Sequence, residues 1–232
     1  MRSRLLNKTL SLIQYASDLH IENGFPRKLI AKRPYLILNG DIGLPFEPSY
    51  KNYLLNISND FEKVFVISGN HEYDIMKNND KVTFEMIDEK IENICKMRNN
   101  LFYAQKKQFV LDEKDSIDLV GCTMWSALPK SKQHLHEDHK KFLLKTLENQ
   151  KNRNFVFATH HCPSYYCIDK KYPNRTRDYF VSNNNILEKK NDNLILWIYG
   201  HSHKNQTFFI NNTLLSSNQY GYGFHPLNGF WH

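Results

Sequence analysis

The chain has 232 residues, 41% of them hydrophobic and 13% aromatic, and a formal net charge of +7 from 31 Lys and Arg against 24 Asp and Glu. That length suffices for one large domain with a full apolar core, and the composition excludes a disordered tail. No apolar run is long enough to span a membrane, and the four cysteines form neither a CxxC pair nor a small disulfide framework.

The cysteine usage points to a reducing compartment, read as the cytoplasm, with Cys95 and Cys122 as buried thiols. The basic balance suits an anionic substrate such as a phosphate ester or nucleic acid, and it suits ordinary solubility equally well.

Arg2, Arg4 and Lys8 ahead of an apolar stretch imitate a signal peptide. The apolar part is short and runs directly into Asp18 and His20, so residues 11–17 read as a first strand. Further strands are expected at 35–39, 63–68, 118–124, 154–159 and 194–199. A last pair, 206–210 and 213–216, flanks Asn211 and Asn212 as a hairpin. Helices are expected at 49–59, 81–97, 136–149 and 184–190. In the second of these, Phe84, Ile87, Ile91 and Ile94 recur at three- and four-residue steps, giving one stripe that belongs in a core. Strands alternating with helices predict an α/β fold. There is no internal repeat and no linker, so a single domain over 1–232 is expected. The polar stretch 163–193 reads as a loop with a short helix.

Five short motifs each follow an expected strand: Asp18-Leu19-His20, Asn39-Gly40-Asp41, Gly69-Asn70-His71-Glu72, His160-His161-Cys162-Pro163 and Gly200-His201-Ser202-His203. Ligands of α/β sheets gather outside the carboxyl ends of the strands. Carboxylate, amide and imidazole together suit divalent Mn, Fe, Zn or Co without any thiolate. Each motif alone is weak: a D-x-H triplet is common, and Gly-Asn-His-Glu also describes a tight turn with a capping Glu. The joint occurrence, each after an apolar run, is not a chance pattern.

The order D-x-H, G-D, G-N-H-E, H-x-P, G-H-x-H, from Asp18 to His203, resembles the calcineurin-like metallophosphoesterase superfamily. The stretches 121–125 and 217–222 resemble segments of its small stand-alone members. The resemblance implies a four-layer α-β-β-α sandwich with two mixed β-sheets. It implies two divalent metal ions: Asp18, His20 and His203 on the first, Asn70, His161 and His201 on the second, and Asp41 bridging both. His71 matches the catalytic His outside the metal shell, with Asp41 and Asn70 also taking part in the chemistry. The ligand of the fourth motif stands two residues before the proline, which selects His161; His160 either supports it or replaces it if the strand register shifts. The implied reaction is hydrolysis of a phosphomono- or phosphodiester by a bridging hydroxide.

Residues 42–45, Ile-Gly-Leu-Pro, depart from the Asp-Arg-Gly extension of the protein phosphatase branch, which favours a small-molecule or nucleotide substrate. A nuclease is the alternative, and a non-catalytic scaffold a lesser one. No membrane and no protein partner is implied. Two further clusters carry weaker signals. His134, His136 and His139 read as the solvated start of a helix. Lys170, Lys171, Arg175 and Arg177, interleaved with Tyr165, Tyr166 and Tyr172, read either as a phosphate- and base-holding loop or as a solvated one.

Overall fold

The computed structural model describes residues 2–24, 28–126, 129–169, 172–182, 185–223 and 225–231. Ten strands form two sheets. The first is all parallel and contains β1 (Ile13–Ala16), β2 (Tyr35–Asn39), β3 (Lys63–Ile67) and β4 (Leu101–Tyr103), in that order. The second contains β5 (Lys107–Asp112), β6 (Ile117–Cys122), β7 (Asn154–Thr159), β8 (Leu194–Tyr199), β9 (Thr207–Ile210) and β10 (Thr213–Ser217). Its order is β5-β6-β7-β8-β10-β9, with β6, β7, β8 and β10 parallel and the two outer strands antiparallel.

The period of two along each strand divides the core into layers. In β2 and β3, Ile37, Phe65 and Ile67 face inward to the second sheet, where Leu119, Val156 and Ile198 meet them. The alternate residues Leu36, Leu38, Val64 and Val66 face outward to the helices α2 (Pro48–Ile57) and α3 (Phe84–Cys95). On the other side Val120, Phe157 and Trp197 pack against α4 (Gln133–Asn149) through Leu143 and Leu147. The result is the expected α/β sandwich of two sheets with helices outside, except that only the second sheet is mixed, the first being all parallel where two mixed sheets were expected.

The element boundaries show where local signals were overridden. Residues 2–12 form helix α1 (Arg2–Leu12), so the expected strand 11–17 begins only at Ile13. The arginines that imitate a leader instead dock this helix: the Arg2 guanidinium donates to the carbonyl oxygens of Asn212, Asp192 and Leu194, and Arg4 pairs with Asp115. Helix α3 starts at Phe84 rather than 81 because the Thr83 hydroxyl accepts from Met86 N and caps it. The helix expected at 184–190 is only a 3-10 turn, Ile186–Glu188, and residue 184 lies outside the described residues. Strands β4 and β5 carry no sequence signal: one has three residues, and the other lies at a sheet edge with little burial. The hairpin β9–β10 turns where Asn211 takes a positive φ. No helix among the described residues is long and apolar enough to cross a membrane, and all four cysteines are buried and free.

The topology brings the carboxyl ends of β1, β2, β3, β7 and β8 to one edge. Two contacts clamp the sheets together there. Asn39 Nδ2 donates to Thr159 O at 2.8 Å, and Ser17 bridges to Gln219 beyond β10.

Candidate metal centre

The backbone at that edge is forced into unusual conformations. Ten described non-glycine residues have positive φ, and five of them are Asp18, His20, Asp41, His201 and His203. A left-handed residue of this kind costs roughly 1–2 kcal/mol, so the strain is concentrated where side chains must turn sharply off a strand. Two glycines permit the close approach. A Cβ at Gly40 would lie 2.4 Å from His160 Nδ1, and one at Gly69 would lie 2.2 Å from Asp41 Oδ1.

The side chains converge in three overlapping groups: Asp18, His20 and His203; His20, Asp41 and His71; and Asp41, His160 and His201. His20 links the first group to the second, and Asp41 links the second to the third. Asp41 is buried, and its Oδ2 lies 3.2 Å from His160 Nε2 and 4.0 Å from both His20 Nε2 and His71 Nε2. Asp18 Oδ1 lies 3.2 Å from His203 Nε2, and the same carboxylate accepts from Ser17 Oγ and from His201 N. Asn70 Oδ1 stands 3.1 Å from His160 Nε2.

At the fourth motif the structure distinguishes the surroundings of the two adjacent histidines. His160, not His161, is the ring that faces Asp41 and Asn70. Its Nδ1 donates to Asn39 O at 3.1 Å, which leaves Nε2 aimed at both oxygens. His161, selected by its distance from the proline, has its ring 4.2 Å from that of His201 and 5.6 Å from that of Trp125. Its Nδ1 is buried with no hydrogen-bond partner. The two rings follow β7 directly, stand 5.3 Å apart and both lie against that of His201, so the candidates are neighbours and differ in what their nitrogens face.

These residues fit a cation. His20 Nδ1 lies 3.0 Å from Glu22 Oε1, so Nε2 is the bare nitrogen, and it is buried without a partner. Fixing one ring nitrogen on a carboxylate or carbonyl is how a metal-binding imidazole is oriented; His20 and His160 both show it. Burial alone would lower the His160 pKa, but the Asp41 charge beside it holds it up to about 9. A positive charge is therefore favoured between Asp41 Oδ2 and Asn70 Oδ1. Burial pushes His201 down to about 3, with the charge of His160 adding to the effect, and keeps its ring in the neutral, ligating form.

Comparison with known proteins places this arrangement. Residues 11–205 match the family described as Calcineurin-like phosphoesterase. The chain belongs to the calcineurin-like phosphoesterases. It is a phosphoric ester hydrolase of a family that binds divalent metal. An uncharacterized protein of Acanthamoeba polyphaga mimivirus is 27% identical, covering 95% of this chain and 94% of its own. Among solved structures, the phosphopantetheinyl hydrolase of Mycobacterium tuberculosis has a TM-score of 0.69 at 16% identity, covering 91% of this chain and 89% of that one. A 5'-nucleotidase structure from Staphylococcus aureus, described as putative, has a TM-score of 0.52 at 17% identity. It covers 88% of this chain and 48% of that one. At these identities the structures show a shared fold.

Several residues around the site were given no role in it by the sequence. Glu72 is fully buried and accepts from Asp41 N, Ile42 N and Gly69 N at 2.7–3.0 Å, tying the second and third motifs together. It is not a capping Glu of an isolated turn. Asp74 Oδ2 lies 3.2 Å from His71 Nδ1, one 3-10 turn along. Tyr222, about half exposed, lays its ring 4.1 Å from His20 and places its hydroxyl 3.0 Å from His71 Nε2. Phe180 packs 5.0 Å from the His201 ring. The segment 217–222 was conspicuous as a motif, but only the return of the chain past Asp18 puts Tyr222 over the site: Gly221 N donates to Asp18 O at 2.9 Å.

The two weaker clusters resolve differently. His136 and His139 are not solvated. Both are buried: His139 Nδ1 accepts from Met124 N at 3.0 Å, and His136 Nδ1 bonds to Trp125 O at 2.6 Å. Of the basic loop, Lys170, Lys171 and the Arg175 side chain lie outside the described residues. Arg177 Nε donates to Tyr172 O at 2.9 Å, and Tyr165 OH donates to Asp178.

Proposed function

We propose that this chain hydrolyses a phosphate ester of a small molecule or nucleotide at a dinuclear metal centre. The observation that carries the reading is the position of Asp41, the residue at which the His20 and His160 groups meet. On this reading Asp18, His20 and His203 hold one divalent ion, and Asn70, His160 and His201 hold the other. Asp41 is shared, and His160 takes the place first given to His161. The donor set suits Mn, Fe, Zn or Co. Such ions, when bound, activate a water and polarise phosphoryl oxygens.

The chain's own groups supply the rest. His71 Nδ1, paired with Asp74, orients the ring so that Nε2 faces the site and can protonate the leaving oxygen. The Asn70 amide nitrogen stabilises a phosphoryl oxygen as charge builds there. Glu72 keeps the backbone of Asp41 and Gly69 from relaxing out of position.

The direct test is Asp41→Asn, assayed with 4-nitrophenyl phosphate and bis(4-nitrophenyl) phosphate after reconstitution with each metal. Loss of turnover and of bound metal, with an unchanged far-UV spectrum, is expected. Wild-type rates in the variant would remove Asp41 from the centre.

A further inference from the structure

A cleft beside His71 has no role in the assignment above. It has a volume of about 460 Å³ and runs from the His71 ring between residues 44–47 and the 3-10 segment His71–Lys77. That volume is in the range of small-molecule sites, about 300–1,000 Å³. Leu44, Pro45, Phe46 and Ile75 form an apolar wall. Glu22, Glu47, Glu72 and Asp74 add carboxylates, and Asn78 and Asn79 add amides.

Two features say what the cleft would take. The first is position. The Tyr222 hydroxyl stands 3.0 Å from His71 Nε2, so an oxygen fits at the nitrogen that protonates the leaving group. With Asp41 Oδ2 4.0 Å from that same nitrogen, the phosphorus side is fixed, and the cleft that shares His71 is open to the remainder of the alcohol. The second is charge. The chain carries +7, yet no Lys or Arg lines this cleft among the described residues. Lys77 is held by Asp74 at 2.6 Å, and Lys90 sits 5.8 Å over the outer Phe46 ring.

We infer that this cleft is the leaving-group subsite, and that it accepts an uncharged or cationic organic alcohol with an apolar body. A leaving group that itself carries phosphate, as one half of a nucleic acid strand does, meets the carboxylates of Glu22, Glu47, Glu72 and Asp74 there, with one lysine, Lys77, paired to Asp74 from outside the described lining. The inference rests on the proposed function of the centre and on the role of His71 in it.

The test uses three monoesters whose leaving phenols have similar acidity: phenyl, 4-(aminomethyl)phenyl and 4-(carboxymethyl)phenyl phosphate, followed by phosphate release from the metal-loaded full chain. The first two should react with kcat/KM values within a few-fold of each other, and the anionic one about tenfold more slowly. Glu47→Lys should narrow that gap, and Phe46→Ala should raise KM for phenyl phosphate. Equal kcat/KM for all three esters overturns the subsite, as does a gap that Glu47→Lys leaves untouched. No turnover of any ester with any of the four metals overturns the proposed function of the centre, and the subsite with it.

Discussion

Two sets of histidines are buried in this molecule, and they do opposite things. At the strand ends, the buried His20 and His160 rings and the partly buried His201 cluster around carboxylates, and His20 keeps a buried nitrogen with no partner. Their backbone is strained in part, with His20 and His201 at positive φ. On α4, His136 and His139 sit on a regular helix, and each engages Nδ1 with a backbone group of the loop after β6. Burial is common to both sets and so does not mark a ligand. What separates the sets is what the ring nitrogens face: Asp41 Oδ2 for His20 and His160, backbone groups for His136 and His139.

The largest effect that separates the two sets is the loss of Asp41. Asp41→Asn should lower turnover on the order of 10³-fold, read as kcat with an aryl phosphate, while the thermal midpoint of the metal-free protein stays close to wild type. Within the fourth motif, His160→Ala should cost on the order of 10²-fold in metal affinity, measured by competition with a chromogenic chelator. His161→Ala should cost less. The reverse order would return the ligand to His161.

The α4 set should respond in stability alone. His139→Ala leaves Met124 N buried and unsatisfied, worth about 1–3 kcal/mol in urea unfolding, with metal content unchanged. Burial, aided by the Lys106 charge, pushes the His139 pKa from its ordinary 6.5 down to about 4. The sign follows from proton uptake. Between those values the unfolded chain binds a proton that the folded chain refuses, so stability falls as pH drops from 6.5 to 4 and levels off below. This group contributes roughly 3 kcal/mol at most across that window. Urea midpoints of the chelated protein at successive pH values should show this slope, and His139→Gln should flatten it. An unchanged slope would mean that His139 is not the buried acceptor described.

The smallest expected effect belongs to Tyr222. Tyr222→Phe keeps the ring against His20 but removes the hydroxyl from His71 Nε2. It should lower kcat by a factor of about 3–10 for a poor leaving group and hardly at all for 4-nitrophenol. Equal losses for both leaving groups would mean that Tyr222 acts only by covering the site.

Much of this protein is written in local pattern. Alternating apolar runs announce β2, β3, β7 and β8 almost to the residue, and each is followed at once by Asp, Asn or His. Strand periodicity and glycine-flanked turns are short-range properties, so the motif order from Asp18 to His203 is legible without a structure. Other features depend on residues far apart in the chain. Helix α1 docks through Leu5 in the core and through Arg2, which finds carbonyl oxygens some two hundred residues away. Glu72 becomes a clamp only where the second and third motifs meet, and His139 becomes core only once α4 covers the end of β6. The choice of His160 over His161 belongs here too. It rests on which ring reaches Asn39 and Asp41, and that is set by the packing of one sheet against the other rather than by the spacing of a histidine from a proline.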